Sequence, residues 1–201
     1  MKSFTSMLIT IGILVSFTVG LSGCGVQSIP QSKNSVEAAL AEVTNQYKRR
    51  EDLIPNLVNT VKGFAAHEKG TLEGVISARA KATSINIDPS KVSAQKLKEY
   101  QQAQGELSSA LGRLMVVTEN YPNLKADANF RDLQAQLEGT ENRITIARQH
   151  YIESIKMFNN EVTVPPTSWT NSLFYHFEKM PQWDLEAAEK QKAEKAPEVK
   201  F

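Results

Sequence analysis

Apolar residues recur along this chain in steps of three and four, the spacing of one buried face on an α-helix. The first stripe runs Val36, Leu40, Val43, Tyr47, Ile54, Leu57, Val61 and Phe64, with Arg50 standing on the step between Tyr47 and Ile54. A second comprises Tyr100, Leu107, Leu111, Leu114 and Val117, with Ala103 and Ala110 beside it. The third and cleanest is Phe130, Leu133, Leu137, Ile144, Ala147, Tyr151, Ile155, Phe158 and Val162. Nothing in the body of the chain alternates strictly, as a half-buried strand would. The pattern predicts an all-α fold.

Breaks are expected where the breakers fall. Ile87-Asp88-Pro89-Ser90 separates two helices, with Ser90 or Ser93 placed to cap the next one. Asn120-Tyr121-Pro122-Asn123 ends the second stripe, because the residue before a proline avoids the helical region. Val164-Pro165-Pro166-Thr167 ends the third. Pro55 lies inside a strong stripe, so it should kink its helix and free the carbonyl of Glu51. The phase of the first stripe carries on through Gly70-Thr71 to Val75, Ala78, Ala82 and Ile85. A single helix of about 50 residues would reach about 75 Å, against about 40 Å for the one from Ala94 to Glu119. A break between His67 and Thr71 removes that mismatch. Four helices can then run as an antiparallel up-and-down four-helix bundle over residues 33–166. Residues 167–183, with Trp169, Leu173, Phe174, Phe177 and Trp183, should form a short amphipathic C-terminal helix. Residues 184–201, rich in Glu, Lys and Ala, should be a flexible polar tail.

The start of the chain has a different pattern. Lys2 precedes an unbroken, largely apolar run of 15 residues from Met7 to Leu21. Such a run spans about 22 Å as a helix, short of the roughly 30 Å of a bilayer core. Residues 1–23 therefore read as an export signal. Leu21-Ser22-Gly23-Cys24 has the form of a bacterial lipobox, which makes Cys24 the acceptor of a diacylglyceryl group and of further fatty acyl chains such as palmitate. Residues 24–32 would be the lipidated N-terminus and a tether. Removing Lys2 with the signal leaves acidic and basic residues equal in number, so acyl chains and not surface charge must hold the membrane. Gly25 supplies no acidic residue beside the cysteine, which favours the outer membrane where the host has two.

Composition narrows the function. There are 23 Lys and Arg against 22 Asp and Glu, a formal net charge of +1. That balance argues against a nucleic-acid partner, whose binders carry a basic excess. The single cysteine rules out an intramolecular disulfide and a cysteine zinc cage. No phosphate-cradling glycine motif is present. His67-Glu68 begins like a zinc-protease helix, but Thr71 stands where the second histidine belongs. His150 and His176 lack ligand spacing as well, and the serines lack a nucleophile elbow. No catalytic residue, metal site or cofactor is expected.

Two polar clusters remain. Lys48-Arg49-Arg50-Glu51-Asp52, with Asn56 just beyond, interrupts the first stripe. Gly139-Thr140-Glu141-Asn142-Arg143 is expected to interrupt the last helix. Arg50 falls on the apolar side by periodicity, which demands a carboxylate partner or a snorkelling stem. Its neighbours Glu51 and Asp52 point round the helix, so Glu141 and Glu153 on the last helix are the candidate partners. Arg49, Arg50, Asp52, Asn56, Glu141, Asn142, Arg143 and Glu153 together form either a structural polar network or a recognition surface.

The same residues carry a resemblance. Arg49-Arg50-Glu51-Asp52-Leu53-Ile54-Pro55-Asn56-Leu57-Val58, then Val61-Lys62-Gly63-Phe64-Ala65-Ala66-His67-Glu68, resembles the signature of the LemA family. Ala78-Arg79-Ala80, Tyr121-Pro122-Asn123-Leu124-Lys125, Leu137-Glu138-Gly139-Thr140-Glu141-Asn142-Arg143-Ile144 and the ending Ala196-Pro197-Glu198-Val199-Lys200-Phe201 are similar to its later blocks. The likeness covers roughly residues 36–201. It implies an antiparallel four-helix bundle held at a bacterial membrane by its N-terminus, with no established catalytic residues. Many members keep an uncleaved spanning helix where this chain has Leu21-Ser22-Gly23-Cys24.

The function expected from all this is a non-catalytic envelope lipoprotein on the extracytoplasmic side of a bacterial membrane. It would serve as a scaffold or adaptor for an envelope protein partner. The alternative is a helical bundle that binds or transforms a small ligand in a polar internal pocket.

Overall fold

A computed structural model describes residues 26–183, and within them every regular element is helical. The elements are α1 (Ser28–Phe64), α2 (Lys69–Ser84), α3 (Ala94–Thr118), α4 (Pro122–Ala126), α5 (Ala128–Thr163) and α6 (Thr167–Thr170), the last continued by a π-helical turn at Asn171–Tyr175. The export signal, the lipobox Leu21-Ser22-Gly23, Cys24 and the tail 184–201 lie outside the described residues.

α1 begins earlier than the tether reading places it, at Ser28, and Pro30 sits inside its first turn. A proline is tolerated there because the first backbone N–H groups of a helix have no partner in any case. The break expected near His67–Thr71 falls at residues 65–68, so Gly70 and Thr71 already belong to α2. Because α1 ends at Phe64, the stripe loses its phase there. Phe64 turns out to solvent and Ala65 takes the buried position instead. Ser93, not Ser90, caps α3 by accepting from the Lys96 N–H at 3.2 Å. Asp127 caps α5 in the same way, accepting from the Phe130 N–H at 2.9 Å. The second polar cluster does not interrupt α5. Thr140 is buried, and its hydroxyl donates to the Gln136 carbonyl at 2.7 Å within the unbroken helix.

The chain divides into two compact units. The larger holds residues 40–149 with Trp183. Its core is one cluster in which Ile54, Leu57 and Val61 of α1 join Leu72 and Val75 of α2, Leu107 and Leu114 of α3, Leu124 of α4 and Phe130 of α5. α2 packs along α3, and the Lys81 ammonium meets the Glu106 carboxylate at 2.7 Å on the outer side. Leu137 packs only partly buried against this core. The stripes read from sequence are thus largely the buried faces: Phe64 departs to solvent, and Leu137, Val117, Ala78 and Ile85 are only partly buried.

The smaller unit holds the start of α1 and residues 150–182. Ile29 and Val36 of α1 are buried, as are Tyr151, Ile155, Phe158 and Val162 of α5. Burial pushes the Tyr151 phenol up to about 12. Ser32 donates to Glu161 at 3.1 Å, and Phe177 packs against Phe158 with its ring under the Lys33 ammonium. The expected helix over 167–183 is cut short at Tyr175. His176 takes a left-handed backbone conformation, φ 55°, and ends it. Beyond it, the Asn159 side chain holds the extended segment through both the N–H and the carbonyl of Met180.

Candidate functional site

The larger unit contains a polar cluster within its apolar stripes, and it starts from Pro55. A proline in mid-helix cannot donate to the carbonyl four residues back, which here is Glu51. Arg79 of α2 supplies the missing donor, its Nε reaching the Glu51 carbonyl at 2.8 Å. The local defect in α1 is thereby converted into a tie to α2.

One residue earlier, Arg50 occupies the stripe and is 2% exposed. Its guanidinium makes four hydrogen bonds. Nη1 donates to the Ser108 hydroxyl at 2.6 Å and to the Glu141 carboxylate at 2.9 Å. Nη2 donates to both the backbone and the side-chain carbonyl of Gln104, at 3.1 and 2.7 Å. Nε has no hydrogen-bond partner among the described residues. The planar fork suits this work, since an ammonium could not spread donors over three residues in fixed directions. The Gln104 amide in turn donates to the Glu51 carboxylate at 2.7 Å. Burial is the largest influence on that carboxyl and raises it above its ordinary value, against the Gln104 hydrogen bond and the Arg50 charge, which lower it.

An aromatic wall closes one side. The guanidinium lies 5.0 Å from the Tyr47 ring, within cation–π range. Tyr47 meets Tyr100 edge-on at 5.6 Å and stacks on Trp183 at 6.5 Å. Arg148 covers Trp183 at 5.4 Å. Burial, with the Glu51 charge adding to it, pushes the Tyr100 phenol well above its usual range. On another side the site opens as a groove of about 450 Å³ between α3 and α5. Leu111, Met115 and Leu137 line it, Glu138 and Glu141 flank it, and Arg50 and Ser108 also contribute.

Of the residues singled out by sequence, the structure joins Arg50 and Glu141. The pair is asymmetric, because Glu141 is 52% exposed while its partner is enclosed. Glu153 stands exposed on α5, as do Asn142 and Arg143. Arg143 folds back on its own helix to donate to the Gly139 carbonyl at 3.3 Å. Arg49, Asp52 and Asn56 are exposed on α1. Glu51, read as pointing away, is buried and shares Gln104 with Arg50. Gln104, Ser108 and Arg79 were not singled out. Gln104 does carry the same signal as Arg50, a polar side chain between Tyr100 and Leu107 on an apolar stripe. Among the described residues no group of three or more His, Cys, Asp or Glu could hold a metal ion. Within the same residues no helix is long and apolar enough to cross a membrane.

These features define a class: helical proteins whose core is crossed by a buried arginine network between helices. The family is narrower. The LemA family model matches residues 39–201, and this chain belongs to the LemA family. It is similar to Protein LemA of Metamycoplasma hominis, 25% identical over 164 residues, or 82% of this chain and 68% of that one. Magnetosome proteins MamQ 1 and MamQ 2 of Paramagnetospirillum magneticum are each 33% identical over 67 residues, a third of this chain and a quarter of theirs.

Proposed function

We propose that this chain is a non-catalytic scaffold or adaptor that binds another envelope protein, built as an antiparallel up-and-down four-helix bundle. Cys24 is its acylated first residue after removal of residues 1–23, and the bundle stands on the extracytoplasmic side of a bacterial membrane. The observation that carries the reading is the groove between α3 and α5. It is open and lined by Leu111, Met115 and Leu137, and the guanidinium beside it is already engaged by Gln104, Ser108 and Glu141. An arrangement of this kind offers a shaped contact surface with a polar anchor, more suited to a protein segment than to chemistry on a small molecule.

The anchor and the groove have separate tests. Intact mass of the native protein should show loss of residues 1–23 and gain of lipid, and Cys24→Ser should release it from the membrane. An unprocessed Met1 terminus on a membrane-embedded product overturns lipidation in favour of a spanning helix. For the groove, a photo-crosslinking residue at Met115 should capture one discrete protein in intact cells, and Leu137→Arg should abolish that capture. A small molecule retained in native mass spectra, and lost on the same Leu137→Arg change, overturns the scaffold reading.

A further inference from the structure

The smaller unit contains a helix whose polarity is reversed. Across α6 and its π-helical continuation, Trp169, Leu173 and Phe174 are spaced by four and five residues, which sets them on one side of the turn. They are 64%, 72% and 69% exposed. Asn171, offset by two residues, is buried. Its side-chain carbonyl accepts from the Phe177 N–H at 3.0 Å, its amide donates to the Phe177 carbonyl at 3.0 Å, and its backbone carbonyl accepts from the His176 N–H at 2.7 Å. The amide is held inside with its hydrogen bonds made, while an indole, an isobutyl and a phenyl group point out. A water-facing helix places these types the other way round.

A second observation says what covers the face. The hydroxyl of Tyr175, at the end of the same turn, donates to the backbone carbonyl of Val26. Val26 follows Cys24 by two residues and the apolar run 7–21 by five. Val26 is itself well exposed, and so is Val164, whose carbonyl accepts from the Ser168 N–H at the start of the turn. Whether residue 24 carries acyl chains or the run before it spans the bilayer, residue 26 stands at the lipid surface. The Tyr175 bond brings the apolar face to that same level.

We propose that Trp169, Leu173 and Phe174 form an interfacial membrane contact, seated at the boundary between headgroups and acyl chains beside the N-terminal anchor. This inference rests on the membrane attachment proposed above. Tryptophan and phenylalanine suit that depth, since an interfacial helix buries its apolar side about 5–10 Å into the boundary. One anchor fixes a protein's distance from the bilayer and leaves it free to swing. A second contact fixes the tilt of the smaller unit.

The chain has two tryptophans, and Trp183 is buried, so the difference in emission between the wild type and Trp169→Phe reports on the face alone. The full native chain is solubilised from its cells and reconstituted into phosphatidylethanolamine–phosphatidylglycerol vesicles whose acyl chains carry bromine. Trp169 emission should shift to the blue and be quenched, most strongly by bromines placed high on the acyl chain. Trp169→Phe should remove the quenched component, and Leu173→Ser with Phe174→Ser should restore emission typical of water while the chain still floats with the vesicles. A chain that floats with vesicles while Trp169 emits as in water, unquenched, overturns the contact and leaves the anchor standing. A blue-shifted but unquenched Trp169 means that a second copy covers the face, and overturns it equally. Recovery of the native chain in the soluble fraction of its cells overturns anchor and contact together.

Discussion

Around Arg50 the chain buries a full charge, and around Asn171 it buries a neutral amide. In both places the buried group has partners for most of its donors and acceptors, as enclosed polar groups require. What differs is where the partners come from. Arg50 takes its acceptors from two other helices, through Gln104 and Ser108 of α3 and Glu141 of α5, while Arg79 of α2 repairs the backbone beside it. Asn171 is satisfied almost wholly by its own turn, from residues 176 and 177. The first arrangement spends side-chain chemistry on joining helices and leaves apolar residues to fill the core. The second keeps a short segment folded on itself, which frees its large apolar side chains to face outward. The larger unit is therefore organised around its inside, and the end of α6 around its outside.

The contrast breaks most visibly at Arg50. Arg50→Ala leaves Gln104 and Ser108 without their enclosed donor, and should destabilise the protein by about 3–5 kcal/mol in denaturant titrations. Arg50→Lys should not recover the loss, and Glu141→Ala, which takes the carboxylate from an enclosed guanidinium that keeps Gln104 and Ser108, should cost an intermediate amount, about 1–3 kcal/mol. A loss below 1 kcal/mol for Arg50→Ala would make the charged cluster a surface feature after all.

Next in size is the core beside the groove. Leu107→Ala, at a fully enclosed position, should cost about 2–5 kcal/mol. Leu137→Ala should cost nearer 1 kcal/mol, because its side chain is only partly buried and lines the groove. Equal losses at the two positions would mean that the groove is closed in solution.

The tie from α2 gives a smaller and sharper effect. Arg79→Ala strips the Glu51 carbonyl of its donor and should cost about 1–3 kcal/mol. In a Pro55→Ala background residue 55 regains an N–H for that carbonyl, so the same Arg79 change should cost less. The difference between the two backgrounds, read in a double-mutant cycle, measures the repair.

Glu51 contributes a pH dependence of definite sign. Its carboxyl is raised in the folded state by burial, so folding favours the protonated form. The stability it lends is fully present below its unfolded pKa and is lost as the pH rises through its folded one. Glu51→Gln should therefore gain on the wild type as the pH is taken from 4 to 7, followed by melting temperature. The smallest change belongs to the outward face. Phe174→Ser should alter stability in detergent-free buffer by less than about 0.5 kcal/mol, because that ring is mostly exposed.

Most of the helical framework was legible because a buried stripe must repeat every three or four residues. Ile54, Leu57, Leu107, Leu114, Phe130 and Ile144 could be placed inside on that ground alone. The same logic flagged Arg50, since a charge on a stripe needs a partner, and it brought Glu141 into view. It failed at Phe64, where the helix stops and periodicity loses meaning, and at Leu137, where an open groove interrupts the burial. Pro55 announced a bare carbonyl at Glu51, but which donor would reach it depends on how α2 lies, and no local rule names Arg79. The stop at His176 was hidden too, because glycine is the usual residue in a left-handed helix terminator and histidine gives no such warning.

The Arg50 network also acts against wrong structures. Stripes of Leu, Val and Ile are nearly indifferent to a slide of one helix past another by a turn, about 5.4 Å, since each apolar position meets another of its kind. A guanidinium that must meet Gln104, Ser108 and Glu141 at once is not indifferent. In a slipped alignment of α1 against α3 and α5 the charge would be enclosed without these three partners, a state that costs several kcal/mol. Arg50 is thus a registration mark, fixing one alignment of the helices out of several that their hydrophobic faces alone would accept.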